Sequence, residues 1–187
     1  MPSQNPTFQS SSQGILPLSL WIALVAIFAA SGIVLRQIAI PTFSPYVTLT
    51  PGFLLPLLAG IVLGPIGGLL CGMFVGISGA LWEPFVIPLI GNIALGLSTG
   101  IPSIFRHRIH RFSWILVCIL SAVMIGGFFP TFCIEVLVFA VPTFVAILTA
   151  SVDAVQAGIW VTVAIILAHT VVDPLLLRYR RKDSSME

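Results

Sequence analysis

Apolar residues dominate seven stretches of the chain, at about 15–35, 47–63, 66–82, 85–105, 112–131, 133–150 and 155–177, and polar residues collect in the short breaks between them. Each stretch approaches the ~20 apolar residues that let an α-helix cross the hydrocarbon core of a bilayer. The pattern predicts an all-α integral membrane protein. Ahead of it, residues 1–14 are polar and carry no Lys or Arg. Without the basic opening of a cleaved signal peptide, they are expected to form a retained tail. The expected organisation is that tail, one membrane domain over 15–178, and a basic and polar tail over 179–187.

Composition sharpens the picture. Of 187 residues, 58% are hydrophobic and 7% charged, and the mean hydropathy is +1.12. A soluble domain carries about 25% charged residues, so a water-soluble fold is excluded. High hydrophobicity and a net charge of only +2 exclude disorder. The three cysteines, Cys71, Cys118 and Cys133, lie in apolar runs without a CxxC or metal-ligand spacing and read as packing residues. The basic residues form short clusters beside hydrophobic runs, which does not suit nucleic acid.

Charge placement decides which stretches cross. Arg106, Arg108 and Arg111 lie between the fourth and fifth, and Arg178, Arg180, Arg181 and Lys182 follow the seventh. The positive-inside rule puts both clusters in the cytoplasm, which requires an even number of crossings between them. Of the intervening stretches, 133–150 is the weakest: it holds Glu135, is interrupted by Pro142 and ends near Asp153. It is expected to be an external or partly re-entrant segment. That leaves a six-transmembrane-helix bundle in the cell (cytoplasmic) membrane with both termini cytoplasmic. Arg36 is then the one external basic residue, and Glu83, Glu135 and Asp153 lie at the external face.

Eleven of the 16 glycines fall between Gly52 and Gly100. Gly68, Gly72, Gly76 and Ala80 recur every fourth residue, as do Asn92, Gly96 and Gly100. Such a smooth helix face lets a neighbouring backbone approach closely, so glycine-rich helix packing is expected. Gly64-Pro65 marks a tight turn between the second and third stretches.

Ionisable residues at bilayer depth are costly, by about 2.5–3.5 kcal/mol on insertion scales, and are functional candidates. Asp153, Gln156 and Trp160, at i, i+3 and i+7, put a carboxylate, an amide and an indole on one helix face. With Trp82 and Glu83 they offer an aromatic plate and polar groups for a small ligand. The alternative is that the tryptophans are interfacial anchors and the acids sit at helix ends in water. His169 and Asp173, four apart, are expected to form a structural hydrogen bond rather than a proton relay. His107 and His110 are interleaved with arginines that would repel a metal cation, and no metal or cofactor site is expected. No nucleophile–base constellation, HExxH or P-loop is present, the only lysine being Lys182. An enzyme is not expected, and uphill transport would need a partner that hydrolyses nucleotide.

The stretch from Val47 to Gly76, VTLTPGFLLPLLAGIVLGPIGGLLCGMFVG, resembles the substrate-binding S components of energy-coupling factor (ECF) transporters. They share an external polar loop, a helix ending in Gly-Pro and a glycine-stepped helix. Ala26-x-x-x-Ala30 in the first helix is similar to the family's AxxxA motif. The resemblance implies a subunit that captures a vitamin or related small metabolite outside the cell. It would dock on an ATP-driven module, a coupling transmembrane subunit with ATPase subunits, and reorient in the bilayer to deliver its load. Ala23, Ala26 and Ala30 would form the docking stripe; packing against another helix of the same chain is an equally good physical reading of them. The implied lid is the 37–50 loop. The substrate-binding candidates are Tyr46, Thr48, Thr50, Trp82, Glu83, Asn92, Glu135, Asp153, Gln156 and Trp160. A membrane scaffold without a solute ligand and a stand-alone secondary carrier are the alternatives.

Overall fold

The computed structural model describes residues 17–38, 40–41, 48–82, 87–106 and 108–176. They are almost wholly helical. Helix α1 is Leu18–Arg36, and a two-residue antiparallel ladder pairs β1 (Ile40–Pro41) with β2 (Thr48–Leu49). A 3-10 turn, Pro51–Phe53, leads into α2 (Leu54–Trp82), followed by α3 (Ile87–Ser103). Helices α4 (Arg111–Ser121) and α5 (Phe129–Leu137) are joined by π-helical Ala122–Phe128, and α6 (Thr143–Leu167) continues through π-helical Ala168–Val172. Four stretches are long and apolar enough to cross a membrane: Leu18–Arg36, Pro51–Ala80, Arg111–Leu137 and Thr143–Leu176.

One of those four is not straight. Gly64 interrupts α2 with φ 80° and ψ −172°, a backbone region that essentially only glycine occupies. Residues eight apart on a continuous helix would be separated by about 12 Å, yet a Cβ on Gly68 would lie 2.8 Å from the Cα of Gly60. The arms 54–63 and 65–82 therefore lie side by side, and the turn expected at Gly64-Pro65 is present. The indole N–H of Trp21 donates to Leu63 O at 3.4 Å, tying the start of α1 to this corner.

The glycine faces meet α3 as their spacing predicts. A Cβ on Gly68 would collide with Gly96 O, one on Gly72 with Asn92 O, and one on Gly76 would lie 2.6 Å from the Cα of Leu89. A Cβ on Gly100 would lie 2.5 Å from the Cα of Pro65. Thr99 reinforces the contact by donating its hydroxyl to Leu57 O at 2.9 Å. Backbone therefore packs on backbone here, and dense van der Waals contact replaces the burial of side chains. Around it lies an apolar core that includes Leu57, Val75, Leu95, Trp114, Cys118 and Val161. Cys71 is buried as well, whereas Cys133 is exposed, so only two of the three cysteines are core residues.

The 133–150 stretch does not form a segment of its own. Residues 133–137 complete α5, residues 143–150 open α6, and the chain turns between them at Ala140, with φ 50°. Pro142 occupies the N-cap position of α6 with φ −52°, so it starts a helix instead of breaking one. Asp153 lies inside α6, not at the end of a run. Each π-helical stretch ends two residues before a proline, Pro130 or Pro174. A proline lacks the N–H that closes an α-turn and its ring crowds the carbonyl four residues back; widening the preceding turn accommodates both.

Candidate functional site

Thr50 organises one wall of the site. Its hydroxyl accepts from Gly52 N at 3.1 Å, capping the 3-10 turn, and donates to Leu35 O at 3.4 Å, fastening that turn to the end of α1. Arg36 lies in the same place, where a Cβ on Gly52 would come within 3.1 Å of its Cα. Facing this wall is α6. Between them runs a groove of about 590 Å³ whose lining includes Ile40, Leu49, Thr50, Pro51, Gln156 and Trp160. That volume is in the range of sites for small metabolites. Its surface is largely aliphatic.

Gln156 is the polar exception. It is 2% exposed, and its Nε2 donates to Thr50 O across the groove at 3.4 Å. Its Oε1 is buried and meets no donor among the described residues. An unanswered buried acceptor is costly, so the position favours a ligand that donates a hydrogen bond. Trp160, one helical turn further on, is half-buried and lines the same groove.

Asp153 and Glu135 are buried inside the protein rather than exposed at helix ends. Glu135 is fully buried and Asp153 is 8% exposed, both where α5 meets α6. Thr131 on α5 donates to Asp153 Oδ2 at 2.5 Å, and Thr149 on α6 donates to Glu135 Oε2. On each helix a threonine and an acid are four residues apart, so an antiparallel crossing pairs hydroxyl with carboxylate twice, in opposite senses. Gly127 permits the approach, since a Cβ there would lie 2.8 Å from both the Cα of Ala154 and Asp153 O. Glu135 Oε1 has no partner among the described residues.

The ten expected binding residues thus divide. Thr50, Gln156 and Trp160 share the groove. Glu135 and Asp153 form the threonine-paired interface, so the proposed Asp153, Gln156, Trp160 face serves two purposes. Asn92 is 1% exposed and donates to Pro88 O on its own helix at 2.7 Å, outside the groove lining. Thr48 lies in β2 and Trp82 ends α2, but their side chains, like Tyr46 and Glu83 entirely, fall outside the described residues. Sequence reasoning misses Thr131 and Thr149, whose only signal is their spacing from the acids. His169 and Asp173 do bond, at 3.1 Å. Ala23, Ala26 and Ala30 are exposed on α1, whereas Val25, Phe28, Ala29 and Gly32 face the bundle. Packing of the three alanines within the chain is therefore not what the structure shows.

Comparison with protein-family models, with curated proteins and with solved structures finds no match to the chain.

Proposed function

We propose that this chain is a membrane-embedded solute-capturing subunit of the ECF S-component type, which takes up a vitamin-like metabolite in the groove between Thr50 and α6. The observation that carries this reading is the 590 Å³ groove with Gln156 Oε1 buried on its wall and meeting no donor among the described residues. The groove suits a solute with a largely apolar body, room to stack on Trp160, and one hydrogen-bond donor directed at Gln156.

In this reading the two arms of α2 are separate passes, and with α1, α3, Arg111–Leu137 and Thr143–Leu176 they make six. The arm with its 3-10 turn, 51–63, is about 20 Å long at 1.5 Å per residue, some 10 Å short of the bilayer core. Its outer end is therefore recessed, and Gln156 meets it there, donating to Thr50 O at the start of that arm. A recess floored by a short helix and walled by a long one gives a solute an entrance from outside. The outward alanines of α1 are free to meet a coupling subunit, and the termini are cytoplasmic.

Ligand extracted from the purified protein and identified by mass spectrometry tests the reading, together with thermal-shift screening against water-soluble vitamins. Absence of any bound or stabilising solute would defeat it. A second reading, a stand-alone secondary carrier, is favoured by Glu135 and Asp153, two carboxylates buried among membrane helices. Proteoliposomes separate the two: accumulation of solute by this chain alone supports the carrier, and dependence on an added ATPase module supports the subunit.

A further inference from the structure

About 14 Å beyond Trp160, along the π-helical continuation of α6, a second cavity of about 440 Å³ is lined by Arg106, Ile109, Arg111, Trp114 and His169. Arg106 is held there from three directions. Its Nη2 is 2.5 Å from Asp173 Oδ2 and 3.0 Å from His169 Nδ1, and its guanidinium carbon lies 5.2 Å from the centre of the Trp114 ring. Trp114 is 1% exposed and is itself fixed by donating to Pro102 O at 3.1 Å. This end of the bundle thus has a preorganised guanidinium, which presents five N–H donors in a rigid plane.

Charge and hydrogen bonding are both unbalanced around it. Asp173 is the only acid in contact with the cluster among the described residues, against Arg106 and an exposed Arg111 that forms no ion pair with any of them. His169 Nδ1 faces both Arg106 and Asp173. When it accepts from Arg106, the imidazole proton sits on Nε2, which is buried and has no partner among the described residues. Two guanidiniums and an unanswered ring nitrogen around one cavity call for an acceptor-rich anion.

We propose that Arg106, Arg111 and His169 form a binding site for a phosphate-type oxyanion at the arginine-bearing end of the bundle. Phe105, Ile109 and Phe112 are exposed beside it, at 42%, 39% and 65%. Apolar side chains next to a cationic cavity at a helix end match the junction of headgroup and acyl chain. The oxyanion can be the phosphate of an anionic lipid or a free phosphate group, and the two sources are separable. The site is independent of the groove and stands or falls separately from the solute reading.

The test uses the full chain in detergent with two probes, phosphatidylglycerol followed by native mass spectrometry and inorganic phosphate followed by thermal unfolding. Phosphatidylcholine is the zwitterionic control. The wild type is expected to retain phosphatidylglycerol over phosphatidylcholine, and Arg111→Gln or His169→Gln to weaken that retention about tenfold, the loss of one charge-assisted contact. Protection by inorganic phosphate without lipid preference, lost in the same variants, identifies a free oxyanion and upholds the site. Arg111 is exposed at the first residue of α4, so Arg111→Gln decides the matter even if His169→Gln does not fold. Binding of neither probe to the wild type, or equal binding by both variants, overturns the proposal.

Discussion

The hydroxyl of Thr131 on α5 lies 2.5 Å from a carboxylate oxygen of Asp153 on α6, and the partner rung from Thr149 to Glu135 runs the opposite way. Interhelical hydrogen bonds within membranes contribute about 0.6 kcal/mol on average and up to ~1.7 kcal/mol. These rungs belong at the upper end, because removing the donor leaves a buried carboxyl group less solvated. Thr149→Val is expected to lower the unfolding free energy by about 1.5–2 kcal/mol, and Thr149→Ser to leave it nearly unchanged. Reversible unfolding in mixed detergent measures both. Equal stability of the Val and Ser variants would show that the rung contributes nothing.

The glycine crossing separates close approach from mere small size. A Cβ at position 96 would strike Gly68 O, whereas one at Gly91 meets nothing within 4 Å. Backbone cannot step aside as a side chain can. Gly96→Ala is therefore expected to cost at least about 3 kcal/mol, and Gly91→Ala to stay within about 1 kcal/mol of the wild type on the stabilising side. Thermal denaturation of the two variants in the same detergent makes the comparison.

Gly64 isolates a different effect. A Cβ there would have ample room, its nearest neighbour being Ser103 Oγ at 4.0 Å, but φ is 80°. Gly64→Ala thus tests backbone strain without a clash, and a loss of about 1–3 kcal/mol is expected. A variant as stable as the wild type would mean that the corner does not need this conformation.

The proposed function predicts that two kinds of damage are separable. Ala26 is exposed on α1, so Ala26→Trp is expected to leave folding and solute binding intact while blocking assembly with a coupling subunit. Trp160→Ala should do the reverse, weakening solute binding by about 1–3 kcal/mol through lost stacking and burial. Co-purification with the ATP-driven module and isothermal titration with the identified solute read the two outcomes. Loss of folding in both variants would refute this division of labour.

Features set by neighbours along the chain are legible in the sequence itself. The four-residue glycine steps and the Gly64-Pro65 turn depend on local geometry, and their contacts with α3 and the reversal at Gly64 follow directly. Helical periodicity alone likewise places Gln156 and Trp160 on one face. The 133–150 stretch misleads because Pro142 and Asp153 are ambiguous locally. A proline can end a helix or begin one, and an acid can mark a wet terminus or find a partner inside the bundle. Only the crossing of α5 with α6 reveals Thr131, and only the fold brings Arg106 to Asp173 across 67 positions of sequence. Partners that distant leave no pattern in a single chain.

Contact between Gly68 and Gly96 has a further consequence for motion. Leu95 and Leu97 flank Gly96, so advancing α3 by one residue along its own screw, ~1.5 Å with a turn of about 100°, would drive an isobutyl group into the opposing main chain. Glycines have no rotamers with which to absorb such a slip. The crossing therefore works like a tooth in a notch, holding its helices to a single alignment, and any large displacement of this half of the molecule has to carry all of them together.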